Sequence, residues 1–600
     1  MQLENSKLKQ RNSLTIVFFF LGLTTLVFYS TFADPFNVAK FIVLLIGSGF
    51  LIGPLILERK NIDDVKRLFF IMLVFLMAGF ISLITTDVKM VGLFGESLRR
   101  NGFTTYFCLS IFCLYTAQFY SINYRQKFVR ATLLISVGVI SYGLLQQAGF
   151  DFIKWTGSAG IISSYGNSNF AGAGIAIFTV LSFGFIFSTT SFLRWIALFV
   201  FMFGSLAVYF SNARQAQLIL LFFIALFMIQ KILIQNRNLG YVLSFIGILI
   251  TAVVLLGIFK VGPLSSYLYK ESIAIRIYYW KAAIKMFISH PIFGVGLDRY
   301  GAYFKEYRNS QYSLNYGFDI TSSAAHNVIL QLFATGGLLF GLSYLLFTIY
   351  IFNCGIKSVK NKQGIERDFN FTIFAGWLAF QAQSLVSVEY IPIALLGWIL
   401  AGILVRNSIE KSSVVKKVSS ISKEVNRILV TALICLVTFP ISFFLFKVEN
   451  NMYLTRISFA PEVQDSQKAF NLFSDKTLKS PLLDPSYKVA IGSYLIDYKQ
   501  YDKGISIVKD SLRKDPRDLQ ALAVMAIYGE ITADYQSAIG YRKKIEVLDP
   551  WNAKNQLKLV RLFNAVGDSN SAQVYYRKIM DFAANTDVGK QAQDEFPSLK

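Results

Sequence analysis

Most of the chain alternates long apolar runs with short polar breaks, as in "IVFFFLGLTTLVFYSTF" and "ITAVVLLGIF". A helix needs about 20 apolar residues to cross a bilayer, and about 13 such runs precede residue 450. They predict spans near 13–33, 38–57, 67–86, 103–120, 128–149, 170–188, 193–210, 215–235, 240–260, 326–352, 369–388, 391–406 and 428–446. Beyond them the texture turns polar and charged for about 150 residues, enough for a core of its own. The expected fold is all-α, with a polytopic membrane domain over 1–446 and a soluble helical domain over 447–600.

The gaps on one side are short except for residues 262–325. There "SIAIRIYYWKAAIKMFISH" places Ile273, Ile277, Trp280, Ile284 and Phe287 at three- and four-residue spacing, with Lys281 and Lys285 opposite. The pattern predicts a helix lying in the membrane interface. The Pro and Gly residues of "HPIFGVGLDRYGAYF" then end it before a second short segment. A long ordered loop of this kind suits a lid over a membrane-surface site.

The tail repeats. Gly504, Ala538 and Ala572 are 34 residues apart, as are Tyr501 and Tyr535, and Pro516 and Pro550. A 34-residue period with a small residue at fixed phase and a closing proline fits tetratricopeptide-like helix pairs, which stack into partner-binding surfaces. Ser569 stands where a third tyrosine would fall, and an irregular set of helical hairpins is the plainer alternative.

A net charge of +23 invites a nucleic-acid reading, but its placement argues against one. Lys and Arg crowd into alternate short loops such as "ERKNIDDVKR", "NYRQKFVR" and "KSVKNKQGIER". That bias predicts a cytoplasmic N-terminus and, after thirteen crossings, a C-terminal domain outside the cytoplasm. The first run ends "STFAD", loosely like a signal-peptidase site, yet it is longer than a signal peptide needs and reads as an uncleaved anchor. Of the 4 cysteines none falls in the tail, so no disulfide framework is indicated.

No phosphate-binding P-loop, H-E-x-x-H or metal-ligand spacing occurs in the chain. The spans hold few ionisable residues of the kind that ion-coupled transporters need. Basic residues at the predicted outer ends of spans are the exception: Arg99 and Arg100, Arg214, Arg276 and Lys40. A single one is readily a side chain snorkelling to lipid headgroups. Several together point to a lipid-borne anion, and the planar fork of arginine suits a diphosphate. His326, one of 2 histidines, opens an apolar helix after "TSS", whose hydroxyls would cap it. A helix N-terminus and nearby arginines would keep the ring neutral and able to accept a proton. The plainer reading is a capping or headgroup-facing ring. His290, before a proline, reads as structural.

In family order, "DPFNVAK", "FGESLRRNGF", "YGNSNFAGAGIAI", "SNARQAQ", "RIYYWKAAIKMFISHPIFGVGLDRY" and "AAHNVILQLFATGG" resemble the O-antigen ligase, polymerase and O-oligosaccharyltransferase superfamily over roughly residues 15–400. The resemblance implies a GT-C-like enzyme of the bacterial inner membrane. Such an enzyme moves a preassembled glycan from undecaprenyl diphosphate to an acceptor hydroxyl, with inversion and without metal or other cofactor. It implies His326 as the catalytic base and Arg214, Arg276 (in R-x-x-x-W with Trp280) and Arg99 as diphosphate ligands. "SNARQAQ" departs from the commoner Ser-Arg-Gly form at Ala213 and Gln215, and Arg100 competes with Arg99 for the early-loop position. Glu389, in "SVEYIP", could orient the imidazole or replace it as base.

The acceptor stays open among lipid A–core, another glycan and a protein hydroxyl, with a protein partner through the repeats and no nucleic acid. A polyprenyl-linked glycan transporter and an assembly scaffold are the readings from other classes.

Overall fold

The computed structural model describes residues 14–57, 62–153, 155, 160–189, 192–258, 260–262, 265–268, 271–360, 362–409, 421–459 and 466–599. Every regular element among them is helical. The first ten helices are α1 (Thr15–Leu26), α2 (Asn37–Leu57), α3 (Ile62–Thr85), α4 (Lys89–Phe94), α5 (Phe103–Phe119), α6 (Arg125–Gln147), α7 (Ser168–Ser188), α8 (Phe192–Phe210), α9 (Arg214–Gln235) and α10 (Arg237–Ile258). The long loop carries α11 (Ser265–Leu268), α12 (Glu271–Ser289), α13 (Tyr300–Tyr307) and α14 (Ser310–Tyr316). The bundle closes with α15 (Val328–Lys360), α16 (Gly364–Ser384), α17 (Ile391–Asn407) and α18 (Ile421–Ser458).

Each of the thirteen apolar runs falls on one helix. Among the described residues nine helices are long and apolar enough to cross a membrane. Of the other four, α1, α5 and α17 are shorter apolar helices, and α16 is long but more polar. The protein is a multi-pass, all-α membrane protein. Helix α17 is apolar all round and buried along almost its whole length, as a helix at the centre of a bundle must be. Helices α5, α15 and α16 pack around it, whereas α9 and α10 keep most of their apolar surface outward, as lipid-facing helices do.

Two local features build the end of the bundle that carries the site. Helix α15 breaks at Gly337, whose φ of +74° belongs to the left-handed region that glycine enters freely. The "HPIFGVG" turn packs into that break. The Leu338 amide donates to the Pro291 carbonyl (2.8 Å), and the Val295 amide donates to the Ala334 carbonyl (2.9 Å). A Cβ at Gly337 would lie 2.2 Å from the Ile292 oxygen, so no other residue fits. The second feature is α12, whose protein-facing stripe is a different one from its branched aliphatic stripe. Tyr279, Ala282, Ala283 and Met286 face the protein, while Ile284 and Ile288 point outward. Small residues let α12 approach α15 closely, and the branched aliphatic stripe is left for lipid; the Ile273 side chain lies outside the described residues.

Helix α18 runs unbroken through residue 446 and beyond the bundle to Ser458. The tail follows as α19 (Ser466–Leu478), α20 (Pro485–Asp497), α21 (Tyr501–Lys514), α22 (Leu519–Ile531), α23 (Tyr535–Leu548), α24 (Ala553–Ala565), α25 (Ser569–Ala583) and α26 (Asp587–Glu595). Helices α20–α21, α22–α23 and α24–α25 pair as hairpins. Gly504, Ala538 and Ala572, the 34-residue positions, are buried where paired helices touch. Asp484, Asp518, Asp534, Asn552 and Asp568 cap the helix starts through their side chains.

The tail lies against the loops at the site end. The Asp-Pro corners make the contact. Asp515 takes both guanidinium nitrogens of Arg299 (2.6 and 2.7 Å), and Asp549 takes Arg308 (2.6 Å) and Lys305 (3.4 Å). These arginines bracket α13. Asp484 accepts from the Ser97 amide (3.1 Å) in the early loop. Phe318 is buried in the core of α23–α26.

Candidate active site

The early loop "GESLRRNG" folds back on itself. Gly95 (φ +79°) sits so close to Arg100 and Asn101 that a Cβ would lie 2.4 Å from the Asn101 amide nitrogen. Asp298 of the long loop pins the turn by accepting from the Glu96 amide (2.8 Å) and the Asn101 amide (3.2 Å). The turn sends two adjacent arginines in different directions. Arg99 donates to the Ser323 hydroxyl, three residues before His326 (Nε–Oγ 2.9 Å). Arg100 pairs with Glu449 of α18 (3.0 Å), which Tyr487 also contacts. The two thus part: Arg99 reaches the loop before the histidine and Arg100 ties the early loop to the tail.

His326 does not occupy the first turn of its helix. Asn327 caps α15, accepting from the Leu330 amide (3.0 Å), while the hydroxyl of Ser322 is spent on the Ala324 carbonyl. The expected "TSS" cap gives way to Asn327 because an asparagine immediately before the helix reaches the open amide directly. His326 itself takes φ +53°, a left-handed conformation that costs a non-glycine residue about 1–3 kcal/mol. The ring is half-buried and stacks on Tyr279, centroids 5.4 Å apart. Burial, and next the charges of Arg99 and Arg276, lower its pKa to about 3. The direction is that of a neutral imidazole, with burial, which the sequence reading did not invoke, ahead of the arginines.

Arg276 lies one turn before Tyr279 on α12 and donates to Gln215 Oε1 (3.2 Å). Gln215 follows Arg214, which is exposed at the start of α9. The glutamine that departs from the commoner motif thus joins two of the expected arginines. Among the described residues, neither Arg99 nor Arg276 has a carboxylate within ion-pair distance, unlike Arg100, Arg299 and Arg308. Burial lowers the pKa of both. Arg99 and Arg276 thus lie close enough to the imidazole for their charges to act on it, and Asp298 and Glu96 are the carboxylates whose charges act on Arg99.

Lys40 proves different. Its ammonium is buried and donates to the carbonyls of Thr24, Thr25 and Val27 (3.3, 3.2 and 2.7 Å), so it caps the C-terminus of α1. A cation there neutralises orphan carbonyls and is not offered to a ligand. His290 lies among the rings of Tyr303 and Tyr307, away from the cluster.

Arg99, Asn101, Asp298, His326, Gln331 and Glu389 share the lining of one narrow cleft of about 20 Å³, scarcely more than one water needs. Glu389 makes no hydrogen bond to His326, so the expected orienting contact is not formed. Both its carboxylate oxygens are buried beside the Trp398 and Tyr106 donors, and burial outweighs these in raising its pKa to about 7. Asp298 is raised to about 6, chiefly by burial. Sequence reasoning missed Asp298 and Tyr279, and gave Ser323, within "TSS", a capping role instead of its contact with Arg99.

A family model for O-antigen ligase (Wzy_C) matches residues 152–345, a span that contains Arg214, Arg276 and His326. A comparison with curated proteins finds no match.

Proposed function

We propose that this multi-pass membrane protein, which carries an O-antigen ligase domain over residues 152–345, transfers a preassembled glycan from undecaprenyl diphosphate to an acceptor hydroxyl. The family supports glycosyl transfer of the ligase or polymerase type and a lipid-linked glycan substrate. The finer reading rests on one observation: a neutral histidine flanked by two arginines that, among the described residues, have no carboxylate within ion-pair distance.

Arg99, Arg276 and Arg214 would hold the diphosphate, with the amide end of α9 adding positive potential at Arg214. His326 would take the proton of the acceptor hydroxyl as oxygen attacks the anomeric carbon and the diphosphate leaves with the bonding electrons. A base whose pKa is about 3 is weak for this task, and the donor supplies the remedy. A bound diphosphate offsets the two cations that depress the ring, so its pKa rises when the substrate is in place. Proton acceptance is thereby coupled to donor binding.

Glu389 provides a second reading. Its buried carboxylate shares the cleft, and its pKa of about 7 suits a base at neutral pH. The two readings differ in which side chain the reaction loses without recovery.

The reaction belongs on the outer face of the bacterial inner membrane, with the N-terminus cytoplasmic and the paired tail helices forming a tetratricopeptide-like domain outside it. Lipid A–core, a second glycan and a protein all offer hydroxyl acceptors. The experiment uses the purified full chain in detergent with undecaprenyl-diphosphate glycan and an envelope fraction. Release of undecaprenyl diphosphate together with a glycosylated acceptor is the expected result. Movement of intact donor across vesicles, with no diphosphate released, would make it a transporter.

A further inference from the structure

Between the tail hairpins and the loops at the site end runs an open groove of about 840 Å³. One wall is loop: Glu96, Ser97, Leu98, Gly301 and Thr321. The other is repeat: Gln520 and Ile527 of α22, Ile545 of α23, and Asn555 and Lys558 of α24. The groove and the catalytic cleft share a partition one chain thick. Residues 96–98 line the groove and Arg99 lines the cleft; Thr321 lines the groove, and Ala324 and His326 line the cleft. Gly301 packs against Ser323 and Glu96 on that same partition. The cleft admits little beyond the reacting atoms, whereas the groove has room for a ligand.

The lining indicates the class of ligand. Each of the six basic side chains lining the groove already lies within ion-pair distance of a carboxylate, so it offers no free cation to a phosphorylated acceptor such as lipid A–core. No aromatic ring is among its lining residues, so the flat faces of sugars find no stacking platform there. Amides and hydroxyls alternate with exposed aliphatics, Leu98 on the loop wall and Ile527 on the repeat wall. Asn555 is 4% exposed and donates to the Arg542 carbonyl, while its own Oδ1 has no partner. A backbone N–H would satisfy that oxygen, and an extended polypeptide presents N–H and C=O groups at every residue.

We infer that this groove binds the acceptor and that the acceptor is an extended polypeptide presenting a serine or threonine hydroxyl to the cleft. This rests on the glycosyl-transfer reading. The hydroxyl oxygen bonds to the anomeric carbon, the bond from that carbon to the diphosphate breaks, and the proton passes to the base in the cleft. The polyprenyl diphosphate departs into the membrane.

The test uses a deletion strain complemented with the full chain, Ile527→Trp, or Val574→Trp as an exposed repeat-domain control off the groove. Glycan is measured in protease-sensitive and lipid fractions, and lipid-linked donor is measured alongside. Wild type and Val574→Trp should place the glycan on protein. Ile527→Trp should cut protein-linked glycan by about tenfold, the effect of roughly 1.4 kcal/mol in acceptor binding, and should accumulate donor. Peptides matching the modified sites, used with purified enzyme, should show a KM raised by a similar factor. Lys558→Glu replaces Ile527→Trp if the latter is not monodisperse. Undiminished protein glycosylation by the folded groove variant would overturn the inference, as would glycan confined to the lipid fraction. If the deletion strain accumulated no lipid-linked donor, the transfer reading itself would fall.

Discussion

His326 lies over Tyr279 with 27° between the ring planes, and Tyr279 is on the same helix as Arg276, one turn on. Helix α12 therefore supplies both the floor beneath the imidazole and one of the cations that keeps it neutral. Tyr279→Phe retains the flat face and should leave turnover within about twofold of wild type. Tyr279→Ala removes it and should lower kcat by about tenfold, a loss of roughly 1.4 kcal/mol of positioning. Single-turnover rates at saturating donor distinguish the two variants.

Adjacent arginines should fail in different ways. Arg99→Ala should raise donor KM while leaving the melting temperature nearly unchanged, since it gives up a hydrogen bond to the Ser323 hydroxyl and no ion pair. Arg100→Ala strands the buried Glu449 carboxylate and should cost about 3–5 kcal/mol of stability. Thermal melts in detergent beside donor titrations read both. A large melting loss at Arg99 with normal donor KM would reverse the assignments.

The Asp-Pro corners make the tail part of the site's scaffold. Arg308 is buried against Asp549 with both side chains almost wholly shielded, and Arg299 is similarly held by Asp515. Asp549→Ala leaves a buried guanidinium unpaired and should destabilise the protein by about 3–5 kcal/mol. Truncation near Asn450 should therefore destabilise the long loop as well as remove the repeats. A truncated chain with an unchanged melting temperature would show the tail to be an appendage.

Glu389 carries a pH signature. Its folded pKa of about 7 lies above the ordinary 4.5, so the folded state holds this proton more tightly than the unfolded one. That contribution to stability is full below pH 4.5 and is lost as pH rises through about 7. Glu389→Gln, which mimics the protonated form, should match wild type at the acid end and become the more stable of the two by pH 8. Melting temperatures across that range check the sign; parallel curves would mean the carboxyl is not perturbed.

The bundle was legible because apolar run length is a local property, and every run fell on a helix. The inner face of α12 was not, because Tyr279, Ala282 and Ala283 score as weakly apolar yet allow close packing, while the strongly apolar Ile284 serves the lipid. Arg214, Arg276, Arg99 and His326 could be nominated from charge at span ends. What distinguished Arg99 from Arg100 and removed Lys40 was the identity of their partners. Ser323 is 224 residues from Arg99, and Glu449 is 349 from Arg100. No local pattern encodes pairings at such separations.

The proposed orientation rests on charge bias alone and is directly checkable. Asn570, exposed at the start of α25, is the probe. A single cysteine there, in a cysteine-free background, should react with impermeant maleimide on spheroplasts. Labelling only after lysis would move the site to the cytoplasmic face.

The central claim is that His326 takes the acceptor's proton. Glycan transfer from purified lipid-linked donor, measured for His326→Ala and His326→Gln at saturating donor, tests it most directly. Both should lose about 10²–10⁴-fold in kcat, with donor affinity kept by the arginines and His290→Ala fully active as a control. Near-normal turnover of His326→Ala, with activity lost instead in Glu389→Gln, would contradict the account and assign the proton to the carboxylate.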